Sequence, residues 1–142
     1  IGYVFRGVLE SGIHTSNQQW INRIKTGMDQ LLNKLKPNGT FAARYDAQWN
    51  SKDSSSCLTG NLQLGIILGK LYQLFPEQKY LDALKKINHF HKATQFTSGN
   101  PKTKGGIKGS HPFWGNYCPY SYPNWATKFF IDALLMEEEL VA

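Results

Sequence analysis

Residues 60–74, Gly60-Asn61-Leu62-Gln63-Leu64-Gly65-Ile66-Ile67-Leu68-Gly69-Lys70-Leu71-Tyr72-Gln73-Leu74, contain a single charged side chain, Lys70. Wound as a helix, Leu62, Leu64, Ile66, Ile67, Leu68, Leu71 and Leu74 leave almost no polar face. Neighbours must cover such a helix on every side. Working outward, two further segments have the same character. Residues 2–11 carry Tyr3, Val4, Phe5, Val8 and Leu9 nearly all round, and a segment starting near Asn124, a favourable N-cap, carries Trp125, Phe129, Phe130, Ile131, Leu134 and Leu135.

Between them lie two one-faced helical segments. In residues 17–35 the stripe is Trp20, Ile24, Met28, Leu31 and Leu35; in residues 76–95 it is Tyr80, Leu84, Ile87 and His91, flanked by Leu81 and Phe90. Ser16 and Gln19 have capping-box spacing, and Pro76 suits a first helical turn. Pro37-Asn38-Gly39 ends the second segment. Asn38-Gly39-Thr40 also fits a glycosylation sequon, but the turn accounts for it better. All-round apolar helices therefore alternate with amphipathic ones. The pattern predicts an all-α fold of helical hairpins, with an inner layer covered by an outer one. The links alternate too. Residues 12–16 and 75–76 are short, whereas 37–59 and 96–123 are long, and each long link precedes an inner helix, which puts both at one end of the array. Loops of this length in a compact domain are usually functional or disordered, and their aromatic and glycine content argues against disorder.

At 142 residues the chain is expected to form one domain, residues 1–142, with one core. Hydrophobic residues make up 41% and charged residues 18%, a balance that disfavours disorder. No apolar run approaches the ~20 residues of a membrane span, and no signal peptide is visible. Two cysteines, Cys57 and Cys118, exclude a disulfide scaffold and read as free thiols in a reducing, cytoplasmic compartment. The chain opens on Ile1 and closes with Glu137-Glu138-Glu139 in a last helical turn, where carboxylates oppose the helix dipole. It is therefore expected to be a piece of a longer protein. The net charge of +6 comes from lysines scattered along helices; only Lys102, Lys104 and Lys108 cluster, and no nucleic-acid motif accompanies them, so nucleic acid is not an expected partner.

Several segments carry a family resemblance. Ser56-Cys57-Leu58-Thr59-Gly60-Asn61-Leu62-Gln63, Gly105-Gly106-Ile107-Lys108-Gly109-Ser110, Tyr122-Pro123-Asn124-Trp125-Ala126 and Lys128-Phe129-Phe130-Ile131-Asp132-Ala133-Leu134 resemble bacterial α/α-toroid proteins that accompany polysaccharide biosynthesis. The wider group includes terpenoid cyclases, protein prenyltransferases and six-hairpin glycosidases and lyases. The resemblance covers most of the chain and implies a partial α/α toroid. The acid motif DxDD and the Q-x-x-x-G-x-W repeat of protonating cyclases are absent. So are the Asp-x-Cys pair of prenyltransferases (Asp53 and Cys57 are four apart) and the Cys-His pair of lanthionine cyclases. A carbohydrate-directed toroid survives this elimination.

The candidate site residues lie in and beside the long links. Residues 109–127 hold no Lys, Arg, Asp or Glu, but they hold His111, Phe113, Trp114, Tyr117, Tyr120, Tyr122 and Trp125. Aromatic rings with polar tips suit a sugar, which presents C–H faces and hydroxyl edges. They also suit a loop packed over helix ends, and both readings stand. The other link supplies Trp49 and its only carboxylates, Asp46 and Asp53. These are candidates for paired acid and base work in glycoside hydrolysis, or for turn caps and partners of Arg44 and Lys52. For a lyase, His111, Tyr117, Tyr120 and Asn116 are the available proton-transfer groups. Asn61 and Gln63 sit where the central helix opens, and either bond ligand hydroxyls or close a buried polar network. No His/Cys spacing suits zinc and no P-loop is present, so neither metal nor cofactor is expected.

These readings converge on recognition or processing of an oligo- or polysaccharide, with glycoside hydrolase or polysaccharide lyase as the enzyme types. Further partners are the remainder of the parent protein or a second copy. The rivals are a non-catalytic helical interaction domain, marked by exposed apolar helix surface, and an isoprenoid-directed toroid, whose cavity would be nearly free of polar groups.

Overall fold

The computed structural model describes all residues, 1–142, and contains five helices: α1 (Gly2–His14), α2 (Gln18–Leu32), α3 (Leu58–Leu74), α4 (Gln78–Thr94) and α5 (Asn124–Val141). The class is all-α. No helix is long and apolar enough to cross a membrane.

The central helix α3 behaves as its composition dictates. Leu58, Leu62, Ile67, Leu68 and Leu71 are completely buried, and α1, α4 and α5 all pack against it. Gly65 lies against Leu84 and Ile87, and a side chain at Gly69 would collide with Met136. These two small positions let α4 and α5 come close. In α2, Ile21, Ile24, Met28 and Leu31 form the buried stripe at three- and four-residue spacing. The expected stripe began at Trp20, which is instead 43% exposed, so the buried face is turned by one residue at its start. The α4 stripe of Tyr80, Leu84, Ile87 and His91 is buried as read.

Helices α1 and α5 depart from the expectation of full burial. Only Leu9 and Gly12 are buried in α1, while Tyr3 and Val4 of α1 and Ile131 and Leu135 of α5 are exposed. Each has fewer helical neighbours than α3, so half of an all-round apolar surface stays uncovered. Several helix starts also differ. Asn17, not Ser16, caps α2, its Oδ1 accepting from the Trp20 N–H at 3.2 Å, while Ser16 takes the left-handed conformation with φ 52°. Cys57 opens α3 through its Sγ, which accepts from the Gly60 N–H at 3.3 Å. Asn124 is the first residue of α5, and Pro123 occupies the cap position.

Polar contacts tie the outer helices down. Asn88 Nδ2 donates to the Ala133 carbonyl at 2.9 Å and to Glu137 Oε2 at 2.7 Å, joining α4 to α5. Between α2 and α4, the Tyr80 hydroxyl donates to Asp29 at 2.7 Å, Lys25 bridges Asp29 and Glu77, and Lys79 bridges the same two carboxylates. Bonds to Glu77, Tyr80 and Asp29 push the Lys25 ammonium up from its ordinary range. Burial works the other way on Asp29, but hydrogen bonds from Lys79, Tyr80 and Lys25 outweigh it and hold that carboxyl below its usual value.

The α3 packing predicts a contrast within one helix. Leu68→Ala, at a site with no exposure, should cost about 2–5 kcal/mol in urea unfolding. Leu74→Ala, at a site 40% exposed, should cost about 1 kcal/mol or less. Equal losses would show that α3 is not covered in this way.

Candidate functional site

The two long links fold over one end of the helices. They meet in a short antiparallel ladder that the periodicity does not predict: β1 (Ser56–Cys57) pairs with β2 (Ser110–His111), with Ser56 opposite His111 and Cys57 opposite Ser110. The ladder leads straight into α3, and the Leu58 N–H donates to the Gly109 carbonyl at 3.0 Å. Gly115 is buried where the links touch, with no room for a side chain between Ser110, Ser55 and the Pro112 carbonyl.

The first link is built on its own polar side chains. Asn38 Oδ1 accepts from the backbone N–H and the hydroxyl of Thr40, which engages the sequon asparagine in the turn. Phe41 is buried, and its N–H donates to Asn61 Oδ1 at 3.1 Å. Asp46 Oδ1 accepts from the backbone N–H groups of Gln48 and Asn50. Asp53 accepts from both the N–H and the hydroxyl of Ser55, from Arg44 Nε at 3.1 Å and from Asn116 Nδ2 at 3.5 Å. The Ser55 hydroxyl above all, then the Ser55 N–H and the Arg44 guanidinium, hold its carboxyl at about 2, although burial pulls the other way. Both carboxylates thus shape the link, and Asp53 stays ionised at neutral pH. Trp49, at φ 60°, packs edge-on against Phe5 and Tyr45 with ring centroids 6.3 Å apart in each case.

In the second link, the Ser110 hydroxyl donates to the Tyr117 carbonyl at 2.6 Å and accepts from the Tyr117 N–H at 3.0 Å. Tyr117 is thereby fixed beside the start of α3, and the Trp125 indole N–H donates to its hydroxyl at 3.0 Å. Burial raises the Tyr117 phenol, against the opposing effect of the Trp125 bond. The remaining aromatics form a separate group. Phe113 packs on Tyr120 and Tyr122 at 5.7 and 5.2 Å, and Phe96 packs on Tyr122 at 5.5 Å. Trp114 and Tyr120 are 66% and 71% exposed. His111 stands perpendicular to Phe90 at 5.1 Å, and burial, then the charges of Lys108 and Lys36, lower its pKa. His91 also meets Phe90 edge-on, at 5.6 Å, fully buried and donating from Nδ1 to the Ile87 carbonyl; burial holds it neutral, with a pKa of about 4.

Two adjoining cavities result, with Tyr45 in the wall of both. The outer one is an open hollow of about 620 Å³ whose wall includes Arg44, Asp46, Lys52, Asp53 and Asn116. The inner one encloses about 200 Å³ between Phe41, Tyr45, Thr59, Asn61, Gln63 and Tyr117, and no charged side chain lines it. Thr59, Asn61 and Gln63 are 1–2% exposed, yet Thr59 Oγ1, Asn61 Nδ2 and Gln63 Nε2 have no hydrogen-bond partner within the protein. Unmet buried polar atoms are rare and costly, and three of the five in this protein belong to the wall of one small cavity.

Of the residues proposed from sequence, the fold brings Asn61, Gln63 and Tyr117 to the inner cavity, with Trp125 bonded behind Tyr117 and Trp49 packed behind Tyr45. Asp46 and Asp53 line the outer hollow, and His111, Trp114, Tyr120 and Tyr122 line neither. Tyr45, Phe41 and Thr59 were not proposed as contacts. Thr59 and Gln63 stand one helical turn apart and so share a face, which was the available signal. The two thiols, Cys57 and Cys118, are free, and burial raises that of Cys57. No group of three or more His, Cys, Asp or Glu side chains converges to hold a metal. The chain matches no family model, no curated protein and no solved structure.

The Asp53 hub gives a pH signature. Its carboxyl titrates at about 2 in the folded chain and near 3.9 when unfolded. Its contribution is therefore complete above pH ~4 and is lost as the pH falls through ~2. The stability gap between the natural chain and Asp53→Asn, from urea unfolding, should be constant from neutral pH down to ~4 and close toward pH ~2. An undiminished gap at the acid end would show that the ionised carboxylate is not what organises the link.

Proposed function

We propose that this chain is a partial α/α toroid whose loop-bearing end binds a carbohydrate, as part of a bacterial protein concerned with surface polysaccharide. The carrying observation is the inner cavity, where unpartnered donors on Thr59, Asn61 and Gln63 stand among the rings of Tyr45, Tyr117 and Phe41. Sugar oxygens accept from such donors, while the C–H faces of the ring lie on the aromatics. Trp125, bonded to the Tyr117 hydroxyl, is placed to report occupancy. The toroid reading is supported by the packing of α1 and α5 against α3, with α2 on α1 and α4 on α3 and α5, together with the family-like segments at the helix starts.

Binding is better supported than processing. Asp46 and Asp53 are occupied by the link's own donors, and a carboxyl at about 2 is a weak base. His111 does not share their hollow. An isoprenoid ligand is disfavoured by the polar amides of Asn61 and Gln63 in the cavity wall. The interaction-domain reading keeps one observation in its favour, the exposed Tyr3, Val4, Ile131 and Leu135 of α1 and α5. It predicts a concentration-dependent dimer in sedimentation equilibrium that Val4→Asp and Leu135→Asp dissociate; a monomer at all concentrations removes self-association.

The binding reading predicts a saturable tryptophan-fluorescence change with at least one member of a panel of neutral and acidic oligosaccharides. Gln63→Leu should move that titration about tenfold to higher saccharide concentration. Because it removes a buried donor that has no partner, the same substitution should leave the melting temperature unchanged or raised. A folded chain that responds to no saccharide would overturn the proposal.

A further inference from the structure

Resting on the carbohydrate reading, we infer that the inner cavity takes an uncharged acylamino substituent, the acetamido group of an N-acetylated sugar. The inference comes from what the cavity wall offers and what it lacks.

Its unpartnered buried groups include two amide N–H2 donors and a hydroxyl. The Asn61 amide is oriented by its own acceptor, since Oδ1 takes the Phe41 N–H, which leaves Nδ2 as the unengaged end. Gln63 contributes a second unengaged N–H2 and Thr59 a hydroxyl. No lysine, arginine, histidine, aspartate or glutamate side chain lines the cavity, and the wall between the donors is apolar: Leu31, Phe41, Ala42, Ala43 and Leu64.

Each common sugar substituent makes a different demand on such a wall. A uronate carboxylate would lose its water with no lysine or arginine side chain to replace it, the one cation in the wall being the solvent-exposed amino terminus of Ile1, and the balance is unfavourable. The ammonium of a free amino sugar would present donors to donors. A bare hydroxyl finds a partner but puts nothing against the apolar wall. An acetamido group presents a carbonyl oxygen with two lone pairs to the amide N–H groups and a methyl to the leucine and phenylalanine surface. Size agrees. About 200 Å³ corresponds to roughly seven water volumes, room for one substituent or ring but not for a chain of sugars. The outer hollow, about 620 Å³ and sharing Tyr45, lies where the rest of an oligosaccharide would run. Buried donors that stay unpaired when the wrong ligand enters are the strongest source of discrimination a site of this kind has.

The test is calorimetric titration of the chain with four oligosaccharides of equal length. These are an N-acetylglucosamine oligomer, its de-N-acetylated form, the corresponding glucose oligomer and a glucuronate oligomer, with N-acetylgalactosamine as a check on ring stereochemistry. The N-acetylated ligands should bind at least about tenfold tighter than the other three, the ratio one well-made buried hydrogen bond supplies. Gln63→Leu and Thr59→Val should each shrink that ratio. Glucose or glucuronate oligomers binding as tightly as the N-acetylated ones would overturn this inference while leaving the carbohydrate reading intact. No binding by any of them to a folded chain would overturn both. Because the ratio is read on the unaltered chain, the outcome does not depend on either variant folding.

Discussion

A helix without a polar face has to be covered along its whole length, and α3 imposes that requirement on everything around it. Three helices pack on its body, and two glycines let α4 and α5 approach closely. Helices cannot cover its first turn, because the chain must enter there. The first two turns carry Thr59, Asn61 and Gln63, and the two long links fold over them. The position of the cavity follows from the burial of the helix. At the start of α3 the long links join the first residues of α1 in forming the wall.

The loops are able to cover that end because they carry their own polar scaffolding. Asp46 and Asp53 gather backbone and side-chain donors, Ser110 clasps Tyr117, and the β1–β2 ladder joins one link to the other. Backbone groups brought close to the core are thereby satisfied. Against this thorough pairing, the unpaired donors of Thr59, Asn61 and Gln63 stand out. Three of the five unpartnered buried side-chain atoms thus stand together in one cavity wall, where each costs stability. His91 and Asn88, which hold the other unpartnered atoms, lie in α4 and each makes a bond to a backbone carbonyl.

Exposure on α1 and α5 comes from the same logic of coverage. Both helices carry apolar residues on several faces, but composition states only what a helix can bury and not how many neighbours it has. Each packs on α3 and leaves Tyr3 and Val4, or Ile131 and Leu135, exposed. The charged clasp of Lys25, Lys79, Asp29, Glu77 and Tyr80 joins α2 to α4 on a partly exposed surface, where ion pairs orient more than they stabilise.

The sequence by itself determined the helices, their order and the difference between apolar and one-faced segments, because 3.6-residue periodicity is a local property of the chain. It also named Asn61, Gln63 and Tyr117, three of the residues that line the inner cavity. It placed the start of α2 at the wrong cap, because Ser16 and Asn17 compete for the same backbone donors and only the geometry of the preceding turn decides between them. Tertiary structure decided which aromatics meet. Tyr117 was drawn to α3 by Ser110, while Trp114 and Tyr120 were left outside, and no spacing encodes that separation within one link. Tertiary structure alone also left Thr59, Asn61 and Gln63 without protein partners for their donors. Whether a polar group is satisfied depends on atoms brought from distant parts of the chain, and the order of residues does not contain that information.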